Sequence, residues 1–381
     1  MKYRLQDVAD VTMGQSPKSE YYNTDGVGIP FLQGNRTFGV KYPIFDTFTT
    51  MITKEAQAGD VIMSVRAPVG ALNITPVNIC LGRGVCSLRM KNGNQEFLYY
   101  MMKYYSSQLI KKESGTVFGS VNRADIEKLE IDIPDDEKTQ SKISRCLSIL
   151  DEKIETNNAV NRNLSEQITA VFEELRSSVE TTTVKVGDLT LTSNTGADAI
   201  QKAPIVEEDT GIRCVRVGDM TNNRPVHEWG FCKIEPEIFR QYQLHKDDII
   251  CTRTATLGIN RLIHEDLDAV YNNGLIRITL DKTKVVPLFL YRQLQLPDFA
   301  NYIDKISGES STRPNMKMNY FLNYSFDLPE LEEQQKIVNQ IVDLYSMQQK
   351  LIKENKKLVD IRDALLPQLM SGELDVLNLE I

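Results

Sequence analysis

The chain has 381 residues, of which 41% are hydrophobic and 25% are charged, and its formal net charge at pH 7 is −8. This composition is typical of a soluble chain with two or three domains, and it gives no sign of a membrane span. The acidic balance predicts weak unaided binding to nucleic acid, but residues 1–135 hold 15 basic and 14 acidic residues, so it does not forbid a local basic face.

The first residues and the cysteines bear on the compartment in which we expect the protein. The start, MKYRLQDVAD, alternates polar and apolar residues like a strand and lacks the apolar core of a signal peptide, which predicts a cytoplasmic protein. The six cysteines form no C-x-x-C pair and lie mostly in apolar runs. We therefore expect reduced thiols in the core.

Two copies of one module follow each other along the chain. Each copy begins with a strand-like segment, at 3–11 and at 184–192, followed by IPFLQGN or IRCVRVGD as a buried-strand signal. GDVIMSVRAPVG at 59–70 is answered by DDIICTRTATLG at 247–258, and ICLGRGVCSLRM by AVYNNGLIRITL. A helix-like run, a Ser-Gly loop and a strand ending in proline close both copies, so we expect the same fold in each.

A long helix follows each copy. Heptad spacing predicts the first helix at about 136–180, without proline or glycine, and the second from 331 onward. About 40 residues at about 1.5 Å each make a rod of roughly 60 Å, whose apolar stripe needs a partner helix. The predicted seam residues are Ile143, Leu147, Leu150, Ile154, Leu164, Ile168 and Leu175 in the first helix, and Ile337, Ile341, Leu344, Leu351, Leu358 and Leu365 in the second.

Amides interrupt both seams near the middle, at Asn157 and Asn161 in the first helix and at Gln348 and Asn355 in the second. A buried amide costs stability but pairs best in one alignment, so these residues could fix the register of the two helices. An exposed gap in the helix contact explains them equally well.

The order of the parts predicts the fold class α+β, with two repeated α/β domains separated by an antiparallel pair of long coiled-coil helices. We assign 1–135 and 181–330 to the repeated domains, 136–180 to the central helix and 331–381 to the C-terminal helix. To cover the first helix, the second must run back along it. We therefore expect a rod with one globule at each end and a C-terminus close to the first domain.

The sequence offers no credible catalytic or metal-binding motif. The three histidines have no metal-ligand spacing, and Gly82-Arg83-Gly84 lacks the third glycine of a dinucleotide fingerprint. The acidic run PDDEK at 134–138 could suggest a nuclease, but consecutive carboxylates at a helix start complement the helix dipole and do not converge on a metal. We expect no catalytic residue, metal or cofactor in this chain.

Polar and basic residues are concentrated in loops between the strands, and singly each is more often an ordinary surface residue. Arginine favours guanine, asparagine and glutamine favour adenine, and all of these can contact phosphates. The candidate DNA-binding residues are Gln15, Ser16, Lys18, Asn35, Arg36, Arg66, Arg83, Thr116, Asn122 and Arg123 in the first copy, and Arg216, Asp219, Arg253, Thr254, Asn272, Asn273, Thr312, Arg313 and Asn315 in the second.

The two copies agree in their framework and differ in their loops. Asp60 aligns with Asp248 and Gly84 with Gly274, whereas TVFGSVNRAD and ESSTRPNMKMN share little, and Arg66 lies one place away from Arg253 in the alignment. Duplicated frames with divergent loops favour two recognition surfaces for two different targets.

The chain resembles the specificity (S) subunit of type I restriction-modification systems over essentially its whole length. The resemblance rests on the doubled module, on LQDVADVTMGQSP and VGDLTLTSNTG, and on IPDDEKTQSKISRCLSILDEKI answered by LPELEEQQKIVNQIVDLYSMQQKL. The ending ALLPQLMSGEL is similar to the C-terminal signature of that family.

This resemblance implies two target recognition domains, each reading one half of a bipartite site in double-stranded DNA, and helices that space them and dock methyltransferase (modification) subunits. It implies no catalysis in this chain: S-adenosylmethionine, ATP and Mg²⁺ would belong to the modification subunits and to a restriction (motor-endonuclease) subunit. Two alternatives stay open, a two-headed coiled-coil scaffold without DNA recognition and an enzyme such as a nuclease or a self-contained methyltransferase.

Overall fold

The computed structural model describes residues 1–111, 120–196, 205–308 and 315–376, and the chain divides into two compact units. Unit 1 comprises Met1–Ala159 and Leu351–Ile381, and unit 2 comprises Val160–Lys350. The boundaries between the units fall inside two long helices, so each unit contains part of both helices.

Unit 1 has two main sheets and a small one. Its strands are β1 (Lys2–Arg4), β2 (Ala9–Met13), β3 (Tyr22–Asn23), β4 (Ile29–Leu32), β5 (Phe48–Thr49), β6 (Glu55–Ala56), β7 (Val61–Ser64), β8 (Leu72–Ile74), β9 (Ile79–Leu81), β10 (Val85–Met90) and β11 (Glu130–Asp132). Its helices are α1 (Leu5–Val8), α2 (Gln95–Lys111), α3 (Arg123–Glu127) and the first part of α4 (Glu137–Ser177). The sheet orders are β2-β10-β7-β8, β3-β5-β4-β9-β6 and β1-β11.

Unit 2 repeats this plan. Its strands are β12 (Thr181–Lys185), β13 (Thr190–Thr195), β14 (Ile205–Val206), β15 (Arg213–Val215), β16 (Gly230–Cys232), β17 (Ile249–Thr252), β18 (Asn260–Leu262), β19 (Ala269–Tyr271), β20 (Leu275–Leu280) and β21 (Ser325–Pro329). Its helices are α5 (Val217–Thr221), α6 (Pro236–Tyr242), α7 (Pro287–Gln293), α8 (Pro297–Gly308), α9 (Met318–Leu322) and the first part of α10 (Leu331–Ser371). The sheet orders are β13-β20-β17-β18, β14-β16-β15-β19 and β12-β21.

The two units therefore share one strand arrangement. In each, the central four-stranded sheet is antiparallel, and a second sheet contains one parallel pair, β4 with β9 or β15 with β19. A buried aspartate opens the equivalent strands: Asp60 accepts the backbone N–H of Gln57 at 2.9 Å, and Asp248 accepts that of His245 at 3.0 Å. The predicted α+β class with a duplicated module is confirmed.

The C-terminal part of α10 belongs to the core of unit 1. Leu366, Leu369 and Met370 pack in the same buried cluster as Leu5 and Phe97. Burial of large apolar side chains in one cluster contributes about 1.5–3 kcal/mol per side chain. The expected return of the chain to its first domain is thus a packing contact within unit 1.

The seam residues of the long helices are covered to different degrees. Those that the structure buries are Ile143, Leu147, Ile154, Leu164, Ile168, Ile337 and Ile341. Those that it leaves half-buried are Leu150, Leu175, Leu344, Leu351, Leu358 and Leu365. In unit 1 the paired residue numbers rise along α4 as they fall along α10, so the two helices are antiparallel there.

The amide contacts in unit 1 favour the register interpretation over an exposed gap. Asn157 is 2% exposed, and its Nδ2 donates to Asn355 Oδ1 at 2.8 Å and to Glu354 Oε2 at 3.0 Å. Asn355 Nδ2 in turn donates to Asn158 Oδ1 at 2.8 Å. Each bond exists in one alignment of the helices only, so the amides of unit 1 can specify that alignment.

The amides within unit 2 do not pair side chain to side chain. Gln348 Nε2 donates to the backbone carbonyl of Asn161 at 3.3 Å. The Asn161 side-chain oxygen is buried and has no hydrogen-bond partner among the described residues.

A buried ion pair, which the heptad pattern did not suggest, joins the two helices in unit 1. Arg362 Nη1 donates to Asp151 Oδ1 at 2.7 Å, and both side chains are less than a tenth exposed. The Tyr100 hydroxyl donates to the other Asp151 oxygen at 2.6 Å. Burial by itself lowers the pKa of Arg362, but the hydrogen bonds that its guanidinium donates to Asp151 and Asp363 outweigh burial, so the pKa of Arg362 is raised.

The cysteines are all free thiols. Only Cys146 is half-buried, and burial raises the pKa of Cys86 and of Cys214 to about 12. Such thiols stay protonated near neutral pH and pack as small apolar groups. Within the described ranges, no helix has both the length and the apolar character that crossing a membrane requires.

Candidate nucleic-acid interface

Each central sheet has one end fixed to a long helix. In unit 1 the β10 strand ends near α4, where Asn92 Nδ2 donates to Gln140 Oε1 at 3.0 Å and Asn94 Nδ2 donates to Ser141 Oγ at 3.2 Å. In unit 2 the Val286 N–H donates to Gln334 Oε1 at 2.9 Å. In each module, this end of the sheet, which we call the helix end, is covered by a long helix.

The opposite end of the unit 1 sheet is an edge built from five loops, which we call the loop edge. It comprises residues 14–16, 33–35, 65–68, 82–84 and 120–122. Because β10 has six residues, this edge lies roughly 17–20 Å from the helix end. Along this edge the side chains of Gln33, Arg66 and Arg83 are exposed.

Backbone hydrogen bonds tie these loops together. Gly84 N–H donates to the Gln33 carbonyl at 3.0 Å, and Val65 N–H donates to the Gly84 carbonyl at 2.9 Å. Val121 N–H donates to the Val65 carbonyl at 3.1 Å, and Arg83 N–H donates to Ser16 Oγ at 3.1 Å. The loop edge is therefore a fixed frame on which the side chains differ.

Close contacts explain the glycine at this edge, with a neighbouring backbone in unit 1 and with a neighbouring side chain in unit 2. A Cβ on Gly84 would lie 2.3 Å from the Gln33 carbonyl oxygen, and a Cβ on the matching Gly274 would lie 2.4 Å from Val217 Cγ2. Only glycine allows the loops to meet at these distances.

Several candidates of unit 1 are engaged in local contacts. Arg36 pairs with Asp46 at 2.7 Å, and Arg123 pairs with Glu127 at 2.6 Å. Asn122 caps α3 by accepting the Asp125 N–H at 3.1 Å. These contacts account for the side chains without a ligand.

The loop edge collects the remaining candidates of unit 1. Gln15 and Arg83 are exposed and Ser16 is half-buried, while Asn35 Nδ2 donates weakly to the Pro68 carbonyl at 3.5 Å. Arg66 is exposed and forms an isolated antiparallel bridge with Ser120 through its backbone.

Two candidates of unit 1 remain outside this group. The Lys18 ammonium group lies 3.9 Å from Glu20 in an exposed ion pair. Thr116 lies outside the described residues.

Unit 2 builds a matching edge in which two of these backbone bonds recur. Arg253 N–H donates to the Gly274 carbonyl at 2.8 Å, and Met316 N–H donates to the Arg253 carbonyl at 2.7 Å. Thr254 forms an isolated antiparallel bridge with Asn315, as Arg66 does with Ser120. Thr312 and Arg313 lie outside the described residues.

Arg253 and Asp219, two candidates of unit 2, hold its loops in place. Arg253 donates from Nε to the Met316 carbonyl at 3.2 Å and from Nη1 to the Asn273 carbonyl at 3.0 Å, so its guanidinium clamps two loops. Asp219 is 1% exposed, accepts the Arg216 N–H at 2.8 Å at the start of α5, and lies 3.4 Å from Arg224 Nη1. Both side chains hold loops in place.

Two asparagine candidates of unit 2 differ in their surroundings. Asn272 Oδ1 accepts the Gly274 N–H at 3.1 Å and so shapes the turn, whereas the Asn273 side chain is exposed. Gln33, an exposed residue of the unit 1 edge, was missed by sequence reasoning. The signal available was its place directly after the buried strand β4, where Arg216 follows β15 in the second copy.

Across the described ranges, no group of three or more His, Cys, Asp or Glu side chains is placed to hold a metal ion. What the units present is a duplicated α+β module with two open loop edges of different side chains. That arrangement defines a recognition protein with two related binding modules.

The comparisons with known proteins place this module in a family. The family model described as "Type I restriction modification DNA specificity domain" matches residues 1–166 and again 179–360. The chain therefore belongs to the type I restriction-modification DNA specificity domain family and contains two copies of the domain.

Individual relatives agree with this membership. The putative type I restriction enzyme MjaX specificity subunit of Methanocaldococcus jannaschii is 33% identical over 178 residues, which span 46% of this chain and 41% of that protein. The MjaIX specificity subunit of the same organism is 22% identical over 98% of this chain and 93% of its own length. The EcoBI specificity subunit of Escherichia coli is 28% identical over 43% of this chain and 36% of its own length.

A solved structure shares the fold. The crystal structure of the type I restriction-modification system S subunit from M. genitalium matches with a TM-score of 0.59 and 17% sequence identity, over 97% of this chain and 95% of that one. The match with the MjaX and EcoBI subunits, by contrast, spans less than half of either relative.

Proposed function

We propose that this chain is the sequence-reading subunit of a type I restriction-modification complex. Each unit reads one half of a bipartite site in double-stranded DNA through its loop edge. The observation that carries the proposal is the pair of edges: one frame of hydrogen bonds, built twice, carries different side chains in each copy. A duplicated frame with different side chains suits two half-sites of different sequence.

The chemistry of the edges suits DNA. Arg66 and Arg83 in unit 1 and Asn273 in unit 2 are side chains that read guanine and adenine in the major groove. The total charge of −8 predicts weak binding by the chain alone, because phosphate contacts supply most of the affinity. Basic surface from partner subunits would complete the site.

The long helices would set the distance between half-sites and dock the modification subunits. Val342, Met347, Ile352 and Ile361 on α10 are 39–48% exposed apolar side chains, and Ile149 on α4 is 40% exposed. Exposed apolar side chains on a helix are suited to protein contact. S-adenosylmethionine, ATP and Mg²⁺ would bind the modification and restriction subunits, and the complex would work in the cytoplasm.

The test is selection from a randomised duplex library by the full chain co-purified with its modification subunit. Two short conserved blocks separated by a fixed unspecified gap are the expected result. Retained DNA without enriched sequence, or no retained DNA from a well-formed complex, would favour the two-headed scaffold instead.

A second experiment tests the spacing role. Seven residues inserted after Asn158 and seven before Asn355 would add one heptad to both helices and keep the seam in phase. Seven residues add about 10 Å of helix, which corresponds to about three base pairs. The gap between blocks should lengthen by about three, and an unchanged gap would contradict the spacing role.

A further inference from the structure

We infer that three equivalent positions on each loop edge distinguish the two half-sites. This inference rests on the proposed function and assigns the reading to particular side chains. The three variable positions are Gln33, Arg66 and Arg83 in unit 1, and Arg216, Thr254 and Asn273 in unit 2.

Matched hydrogen bonds establish the first and third positions. Gly82 N–H donates to the Leu32 carbonyl at 2.7 Å in unit 1, and Asn272 N–H donates to the Val215 carbonyl at 3.0 Å in unit 2. Leu32 is therefore equivalent to Val215 and Gly82 to Asn272, and the residue after each of them is equivalent as well. Gln33 corresponds to Arg216, and Arg83 corresponds to Asn273.

The second position follows from the neighbouring strand. Val65 and Arg253 both donate to the carbonyl of the edge glycine, at 2.9 and 2.8 Å, so they are equivalent. The next residues, Arg66 and Thr254, each form an isolated antiparallel bridge, with Ser120 in unit 1 and with Asn315 in unit 2. Arg66 therefore corresponds to Thr254 and not to Arg253.

The variable positions of unit 1 have their side chains available. Gln33, Arg66 and Arg83 are exposed, and among the described residues none of these three side chains has a hydrogen bond or ion pair. In contrast, the guanidinium of Arg36 is held by Asp46. An arginine without an intramolecular partner can donate both of its parallel N–H groups to one guanine.

The corresponding positions of unit 2 offer different groups. Thr254 and Arg216 are half-buried, and Arg216 Nε lies 3.7 Å from Asp219. Asn273 is exposed and can pair with adenine through its side-chain amide. Unit 1 thus presents two arginines and an amide, and unit 2 presents one arginine, a hydroxyl and an amide. We expect more guanine contacts in the half-site of unit 1.

The experiment gives unit 1 the side chains of unit 2 at two of the three variable positions. The variant Arg66→Thr with Arg83→Asn, in the full chain co-purified with its modification subunit, is put through the same library selection as the wild type. One block should change, with about a 10- to 100-fold loss of discrimination at one or two guanines, while the other block and the gap stay the same. The reciprocal variant Asn273→Arg should change only the other block.

The matched control is Arg36→Ala, which removes an exposed arginine that is already paired and should leave both blocks unchanged. Identical blocks from wild type and the double variant would overturn the inference while leaving the proposed function intact. The inference would also be overturned if the double variant bound all DNA sequences equally more weakly and with a smaller salt dependence, because that result is typical of lost phosphate contacts. A wild-type complex that selects no blocks would overturn the proposed function as well.

Discussion

The helix pair is built differently in the two units. In unit 1 its contacts include the buried Asp151–Arg362 ion pair and the amide pair of Asn157 and Asn355. In unit 2 the same helices supply mainly apolar side chains to one core, among them Ile168. Apolar contacts stabilise many similar alignments, whereas buried polar groups are satisfied in few. We infer that the polar contacts specify the helix register and the apolar contacts supply most of the stability.

The largest effect is expected from Asp151→Ala. It removes the buried carboxylate that accepts from the Arg362 guanidinium and from the Tyr100 hydroxyl, and Arg362 keeps Asp363, whose side chain is half exposed, so the free energy of unfolding should fall by about 3–5 kcal/mol. Urea denaturation followed by circular dichroism measures the change. The control is Arg145→Ala, which breaks an exposed pair with Glu152 of the same 2.7 Å length and should cost at most about 1 kcal/mol. If Asp151→Ala cost no more than Arg145→Ala, the buried ion pair would be refuted.

A double replacement sharpens the first prediction. Asp151→Leu combined with Arg362→Met exchanges the pair for apolar groups, and most of the lost stability should return. Continued instability of the double variant would mean that the surroundings of the pair, including Tyr100, require the charges.

Ile168→Ala tests the apolar part of the helix pair. The side chain is fully buried, so its truncation should destabilise the protein by roughly 2–5 kcal/mol. Val342→Ala on α10 is the control, because that side chain is 39% exposed and its truncation should change stability by only about 0.5 kcal/mol. Similar losses of stability in both variants would contradict the placement of Ile168 in the core of unit 2.

Asn157→Ala should have an intermediate effect of about 1–3 kcal/mol, because it leaves the side-chain oxygen of Asn355 unsatisfied. A double-mutant cycle with Asn355→Ala measures the coupling between the two amides by chemical denaturation. We expect a coupling of about 0.5–3 kcal/mol. Additive losses would restore the interpretation of the amides as a gap in the contact.

The smallest effect on stability is expected at the loop edge. Arg66→Ala removes an exposed side chain and should change the free energy of unfolding by about 0.5 kcal/mol or less. Thermal unfolding of the full chain checks this. A larger loss would make Arg66 part of the frame, as Arg253 is in unit 2.

The parts of the fold that periodicity encodes could be predicted from the sequence. Heptad spacing indicated both long helices, and the doubled strand pattern indicated the module. The Asp151–Arg362 pair could not be predicted, because nothing in the spacing of Arg362 indicates which acidic residue of a distant segment faces it.

The same limit applies to the loops. Arg253 and Arg66 are both loop arginines in the sequence, and only the fold shows that backbone carbonyls satisfy the first. Asp219 likewise resembles a polar surface residue until the start of α5 is in place, where it is buried. Residue type and order suggested the site, but which side chains remain available depends on contacts between segments far apart in sequence.

The discontinuity of unit 1 affects the order in which the protein can fold during translation. Residues 160–350 form an uninterrupted unit, so all of unit 2 is synthesised before Leu366 and Leu369, which belong to the core of unit 1. Domains are usually completed in the order of synthesis. Here the nascent N-terminal domain must wait, with apolar surface uncovered, for a helix segment that is translated after the whole of unit 2.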